Sequence, residues 1–113
     1  MRLAIFGTRD LPWFDISQYI PEGVTEIVSG GARGVDKLAK EYAERRGIRL
    51  VEFLPKYHIY GRSAPLRRND EIVRYADFGI AFWDGASRGT WYTVQAFRRA
   101  GKEVFVIQPG LRG

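Results

Sequence analysis

Five short runs rich in Val, Ile, Leu and Phe, separated by stretches of helical periodicity, constrain the fold of this chain more than any other feature. The runs are Arg2–Phe6, Val24–Val28, Arg49–Leu54, Phe78–Trp83 and Glu103–Ile107. They lack the in–out alternation of a sheet with one wet face, so they predict strands covered on both sides, as in a parallel sheet. Between them, Gly34–Arg46 sets Val35, Leu38, Ala39, Tyr42 and Ala43 on one helical stripe, closed by Gly47. Gly89–Ala100 does the same with Thr90, Thr93, Val94, Phe97 and Ala100 before Gly101. Ala64–Ala76 carries Leu66, Ile72, Val73 and Ala76, with Pro65 suited to a first turn, and Asp15–Ile20 predicts one short helix. The order βαβαβαβαβ predicts an α/β fold, a three-layer domain with right-handed crossovers. With 113 residues and no interior break in composition, residues 1–113 read as one domain whose core needs no metal or disulfide.

Several function classes fall away on composition. There is no cysteine, hence no disulfide framework, thiolate zinc site or cysteine nucleophile. The opening MRLAIFG has too few apolar residues for a signal peptide, and no run approaches the ~20 apolar residues of a membrane helix. The expectation is a soluble, cytoplasmic protein with no membrane partner. The formal charge is +5, supplied mostly by arginine, whose planar guanidinium grips phosphate oxygens two at a time.

In a parallel α/β sheet, ligands bind beyond the carboxyl ends of the strands, where the strand order reverses. Three loops stand there: Gly7-Thr8-Arg9-Asp10, Ser29-Gly30-Gly31-Ala32-Arg33-Gly34 and Asp84-Gly85-Ala86-Ser87-Arg88-Gly89-Thr90. The second and third each open a helix. A helix amino terminus offers unpaired N–H groups and a partial positive charge, and glycines let backbone wrap an anion closely. Arg33 and Arg88 are placed to add charge-assisted hydrogen bonds. Neither GxGxxG after the first strand nor GxxxxGK[ST] occurs, which disfavours an NAD dehydrogenase and a P-loop NTPase. Asp36 sits in a first helical turn, where an acid stabilises the helix and is placed to orient the Arg33 loop or a ribose. Asn69 falls on the buried stripe of its helix beside Arg67 and Arg68, so its amide must hold a neighbouring loop or a ligand.

Taken together, GTR at 7–9, SGGARGVDKLA at 29–39, YGRSAPLRRN at 60–69, ADFGIAFWDGASRGT at 76–90 and GKEVFVI at 101–107 resemble the SLOG superfamily. That group contains the lonely-guy proteins and DNA-processing protein A, and the resemblance is strongest to its small stand-alone YspA-like branch. It implies a Rossmann-like five-stranded parallel sheet of order 3-2-1-4-5 with helices on both faces, and a nucleotide or nucleotide-derived ligand at its carboxyl edge. By the matching motifs Gly31, Arg33 and Gly34 hold phosphate, Gly89 and Thr90 close from the other side, and Arg9, Arg68 and Asn69 line the remaining wall. With the loop residues Gly7, Thr8, Gly30, Asp36, Asp84, Gly85 and Ser87 this makes the full candidate site. No metal-ligand spacing is present, so any magnesium would arrive with the ligand's phosphates.

The resemblance leaves three activities in view. The first is a sensor or carrier of the ligand. The second is a hydrolase of ribosyl or phosphate bonds, as in lonely-guy proteins; their PGGxGTxxE motif would place its glutamate at Thr93, and PGG is replaced by Ala86, Ser87 and Arg88. The third is single-stranded DNA binding, as in DNA-processing protein A, with Tyr57, Tyr60, Trp91 and Tyr92 available for stacking. His58, the one histidine, reads as a surface or packing residue. Trp91 and Tyr92 turn away from their helix stripe beside Arg98 and Arg99, and this patch, with pairing through helices common in the superfamily, predicts a homodimer.

Overall fold

The computed structural model describes residues 1–11 and 13–109. Its strands are β1 (Arg2–Gly7), β2 (Glu26–Ser29), β3 (Arg49–Glu52), β4 (Phe78–Phe82) and β5 (Val104–Ile107). They form one sheet of order β3-β2-β1-β4-β5, and every pairing is parallel. The chain grows outward from β1 in one direction through β2 and β3, then returns to the other side of β1 with β4 and β5. The reversal therefore lies between β1 and β4, where Gly7 is in register with Phe82.

Alternate residues of the central strands feed two cores. Leu3, Ile5, Ile27 and Ile80 face helix α1 (Val35–Arg46) and a 3-10 turn at Ile16–Tyr19. Ala4, Phe6, Val28 and Ala81 face α3 (Ala64–Tyr75) and α4 (Arg88–Arg99). The aromatic rings span the layers: Phe6 stacks on Phe97, and Phe14 and Tyr19 pack on Phe82. This is the parallel sheet covered on both faces that the unbroken apolar runs predict, in the Rossmann-like arrangement that the resemblance implies.

The boundaries differ from the expectation where edges decide them. β2 begins at Glu26 rather than Val24, and β3 stops at Glu52, because each pairs over the same four residues. Beyond β3, Leu54 is exposed. Residues 57–63 give no helical signal in the sequence, yet Tyr57–Tyr60 form a one-turn helix, α2, that runs through a 3-10 turn into α3. A single turn that buries none of its residues leaves no apolar stripe to read.

Two departures on α3 and α4 matter more. Leu66, expected in the core, is exposed, and Arg68 is buried on the face that packs against the sheet. Ala100, expected at the end of the α4 stripe, is exposed as its C-cap. The end of α3 has a cap from outside its own helix. Lys102 donates from Nζ to the carbonyls of Val73 (2.6 Å), Ala76 (2.8 Å) and Arg74 (3.0 Å), satisfying acceptors the helix leaves open. Among the described residues, no helix is long and apolar enough to cross a membrane.

Candidate functional site

At the carboxyl edge, above the β1–β4 reversal, lies a cleft of about 410 Å³. Its floor is Phe6, Gly7 and Thr8; one wall is the 30–36 loop and the start of α1, and the other is the start of α4, with α3 across the back. The loops are held together by backbone contacts. Thr8 donates its N–H to the Phe82 carbonyl (3.0 Å), and its hydroxyl accepts from the Asp84 N–H (3.2 Å), so the β1 and β4 loops are tied to each other. Gly34 has φ +73° and sits so close to Arg9 that a Cβ would lie 2.3 Å from the Arg9 carbonyl oxygen. Only glycine meets both demands, and α1 can therefore begin directly beside the β1 loop.

The 30–36 loop is shaped from beneath by charged groups. Asp36 is buried in the first turn of α1 and accepts from the Ala32 N–H at 3.0 Å. Its burial pushes the carboxyl above the usual aspartate value, with the Ala32 N–H and the Arg68 charge working against that shift. Arg68 reaches over from α3 and donates from Nη1 to the carbonyl of Gly30. It also donates from Nη1 to the Phe53 carbonyl (3.5 Å) and from Nε to Asn69 Oδ1 (2.8 Å). Burial lowers the Arg68 pKa and the Asp36 charge opposes that, so a guanidinium and a carboxylate stabilise each other under the loop. Gly30 has no room for a Cβ because the Arg68 guanidinium fills that space.

The opposite wall is built by Asp84. Its Oδ1 accepts from the N–H groups of Ala86 and Ser87, both at 2.8 Å, and these bonds hold its carboxyl below the usual range. The turn delivers Ser87 to the N-cap of α4, where its hydroxyl lies 3.3 Å from that of Thr90. Among the described residues, no side chain caps the amino terminus of α1 or of α4. Both are 12-residue helices, and both present uncapped first turns to the same cleft. Arg9 and Arg33 stand at the mouth; Arg33 makes a single 3.6 Å ion pair with Asp10, and both partners are largely solvated, at 73% and 83% exposure.

The structure brings most of the expected site residues together. Gly7, Thr8, Arg9, Gly30, Arg33, Asp36, Arg68, Asn69, Asp84, Ser87, Gly89 and Thr90 all line the cleft. Gly31, Gly34 and Gly85 do not: Gly31 lines an adjoining cleft, against Leu54, Gly34 backs onto Arg9, and Gly85 packs against Gln108. Arg88 is exposed and does not line the cleft. Phe6, Asp10, Ala32, Pro65, Leu66, Ile72 and Thr93 complete the lining; Asp10 and Ala32 belong to the strand-end loops read from the sequence, whereas the sequence predicts Leu66 and Ile72 as core positions. Thr93, at the position of the lonely-guy glutamate, is buried with its hydroxyl bonded to the Gly89 carbonyl (3.1 Å), the inward back-bond of a helical threonine. Trp91 stacks on Trp83 (centroids 4.8 Å apart), and Tyr92 donates to Asp70 of α3, so Tyr92 ties two helices and does not stand free. His58 is exposed on α2. Among the described residues, no group of three or more His, Asp or Glu side chains could hold a metal ion.

The parallel order 3-2-1-4-5, with glycine loops meeting at the strand reversal, defines a Rossmann-like protein with a cleft at the carboxyl edge of the sheet. The sequence profile of the YspA, cpYpsA-related SLOG family matches residues 2–60, and the chain belongs to that family. It is also similar to the gene 61 protein of Mycobacterium phage D29, with 35% identity over 81 residues that cover 66% of this chain and 65% of the phage protein. The match thus spans just under two thirds of that relative's length. No solved structure gives a match.

Proposed function

We propose that the cleft binds a nucleotide or nucleotide-derived phosphate ligand, and that the protein acts as a sensor or carrier of it. One observation carries this reading: two long helices aim uncapped amino termini into one cleft, with Arg9 and Arg33 at its mouth. Each terminus contributes open N–H groups and about half a positive charge, and an anion between them satisfies both. The acids of the site support binding more than bond cleavage. Asp36 and Asp84 spend carboxylate oxygens on backbone N–H groups, and Thr93 is turned into its own helix. Family membership agrees with a nucleotide-related role.

The test is a thermal-shift panel on the wild type and Arg33→Ala with AMP, ATP, ADP-ribose, pyrophosphate and a short oligo-dT, each at two salt concentrations. A ligand at about 100 times its Kd stabilises the fold by about 2.7 kcal/mol, a shift of several degrees in a domain of this size. The expected result is a salt-tolerant shift with a phosphate ligand that Arg33→Ala removes, with the ligand recovered intact after incubation. Recovery of a cleaved product would establish the hydrolase instead. A shift with oligo-dT alone that collapses in moderate salt would establish DNA binding, because a strand held through many phosphates loses affinity steeply with salt. No shift with any of them would end the proposal.

A further inference from the structure

On the phosphate reading proposed above, we infer that Tyr57 is the platform on which the base of the nucleotide stacks, making the ligand a nucleoside phosphate and not a bare phosphate or sugar phosphate. The chain has six tyrosines. Among the described residues, Tyr19 packs on Phe82, and Tyr42, Tyr60, Tyr75 and Tyr92 each carry an arginine over the ring. Tyr57 has neither partner and is 57% exposed. A large ring left bare while its fellows are covered is surface available to a ligand.

Its position suits a base. Tyr57 lines a second cleft of about 390 Å³ that adjoins the first, since Arg9, Gly30, Ala32, Arg33 and Arg68 border both. The two clefts form one groove running from the start of α4, past Arg9 and Arg33, to Tyr57 and Pro55. Its chemistry changes along that path. The α4 end holds helix N–H groups, hydroxyls and Asp84; the far end has Pro55 and the Tyr57 ring beside the arginines Arg9, Arg33 and Arg68 that it shares with the first cleft, and no carboxylate lines it. An anionic head with a flat, weakly polar ring on a short tether matches this order, and a nucleotide has that shape. Stacking tolerates any base, because every base offers a π face. The one-turn helix α2, unreadable from periodicity, then has a purpose: it raises this ring beside the loop.

The experiment is a binding cycle by calorimetry with AMP and ribose 5-phosphate, which differ by the base, on the wild type, Tyr57→Ala and Tyr57→Phe. Stacking on an aromatic side chain is worth about tenfold or more in affinity. The wild type should prefer AMP over ribose 5-phosphate by about tenfold, Tyr57→Ala should bring the two within about twofold, and Tyr57→Phe should keep the preference. Ribose 5-phosphate should bind wild type and Tyr57→Ala alike. If AMP binds and its preference survives in Tyr57→Ala, the platform is wrong while the phosphate site stands. Equal loss of both ligands in Tyr57→Ala would also overturn it, because the tyrosine would then be shaping the loop. Failure of the wild type to bind either ligand would remove the phosphate reading and this one with it.

Discussion

Arg68, on α3, donates a hydrogen bond to the carbonyl of Gly30 from 38 residues further along the chain. The bond is buried, and the same guanidinium fills the space a side chain at position 30 would need. One wall of the candidate site is therefore shaped by an arginine whose Nη1 and Nε are bonded to protein acceptors.

Arg68→Ala should unmake that wall. It leaves the Gly30 carbonyl without its donor and the Asp36 carboxylate buried without its opposing charge. Losing a charged hydrogen bond in a buried place costs about 2 kcal/mol or more, so urea unfolding should show at least that loss of stability. Arg68→Lys should recover little, since one ammonium cannot reproduce the fork to Gly30, Phe53 and Asn69. A midpoint unchanged in Arg68→Ala would show that the wall is held by other contacts.

Asp36 makes a pH dependence of definite sign. Burial raises its carboxyl above the ordinary value of 3.8, so the folded protein keeps this proton to higher pH than the unfolded chain. The stabilisation from the protonated form is complete below the unfolded value and is lost as pH rises through the raised folded value. The stability of wild type relative to Asp36→Asn should thus fall as pH increases from about 3.8 and then level off. Urea titrations from about pH 3.5 to about pH 7 would measure the difference, and a rise in place of a fall would reverse the assignment.

Gly34 and Gly23 separate conformational strain from collision. Both have positive φ, at +73° and +86°, but a Cβ at Gly23 meets nothing within 4 Å while one at Gly34 meets the Arg9 backbone at 2.3 Å. Gly23→Ala should cost about 1 kcal/mol from backbone conformation alone. Gly34→Ala should cost at least about 2 kcal/mol more, because backbone cannot step aside as a flexible side chain does. Equal costs in thermal unfolding would mean that the β1 loop yields.

Arg33 is the cleanest residue for dividing function from fold. Its pairing with Asp10 is exposed on both sides and worth little, within about 0.5 kcal/mol. Arg33→Ala and Asp10→Ala should each leave the melting temperature of the free protein nearly unchanged. Their effects on phosphate ligands should then diverge: Arg33→Ala weakens binding, while Asp10→Ala strengthens it by removing a competing anion. Weakening by Asp10→Ala would place the aspartate in contact with the ligand.

The unbroken apolar runs and the stripes at 35–43 and 90–97 determined the parallel sheet and its flanking helices, because burial on both faces of a strand and on one face of a helix imposes periods that can be read along the chain. Gly30, Arg33 and Thr90 were legible as lining of the cleft for a related reason: strand-to-helix turns in such a sheet all lie at one edge. What lies across the chain was not legible. Nothing local distinguishes Arg68, which is buried under Gly30, from Arg67, which lies over the Tyr60 ring, since the choice depends on a carbonyl 38 residues away. Lys102 capping α3, and Tyr57 left bare beside Arg9, are likewise products of packing. Periodicity reports how one element meets water and core. Which two distant groups meet each other is decided only when the layers close.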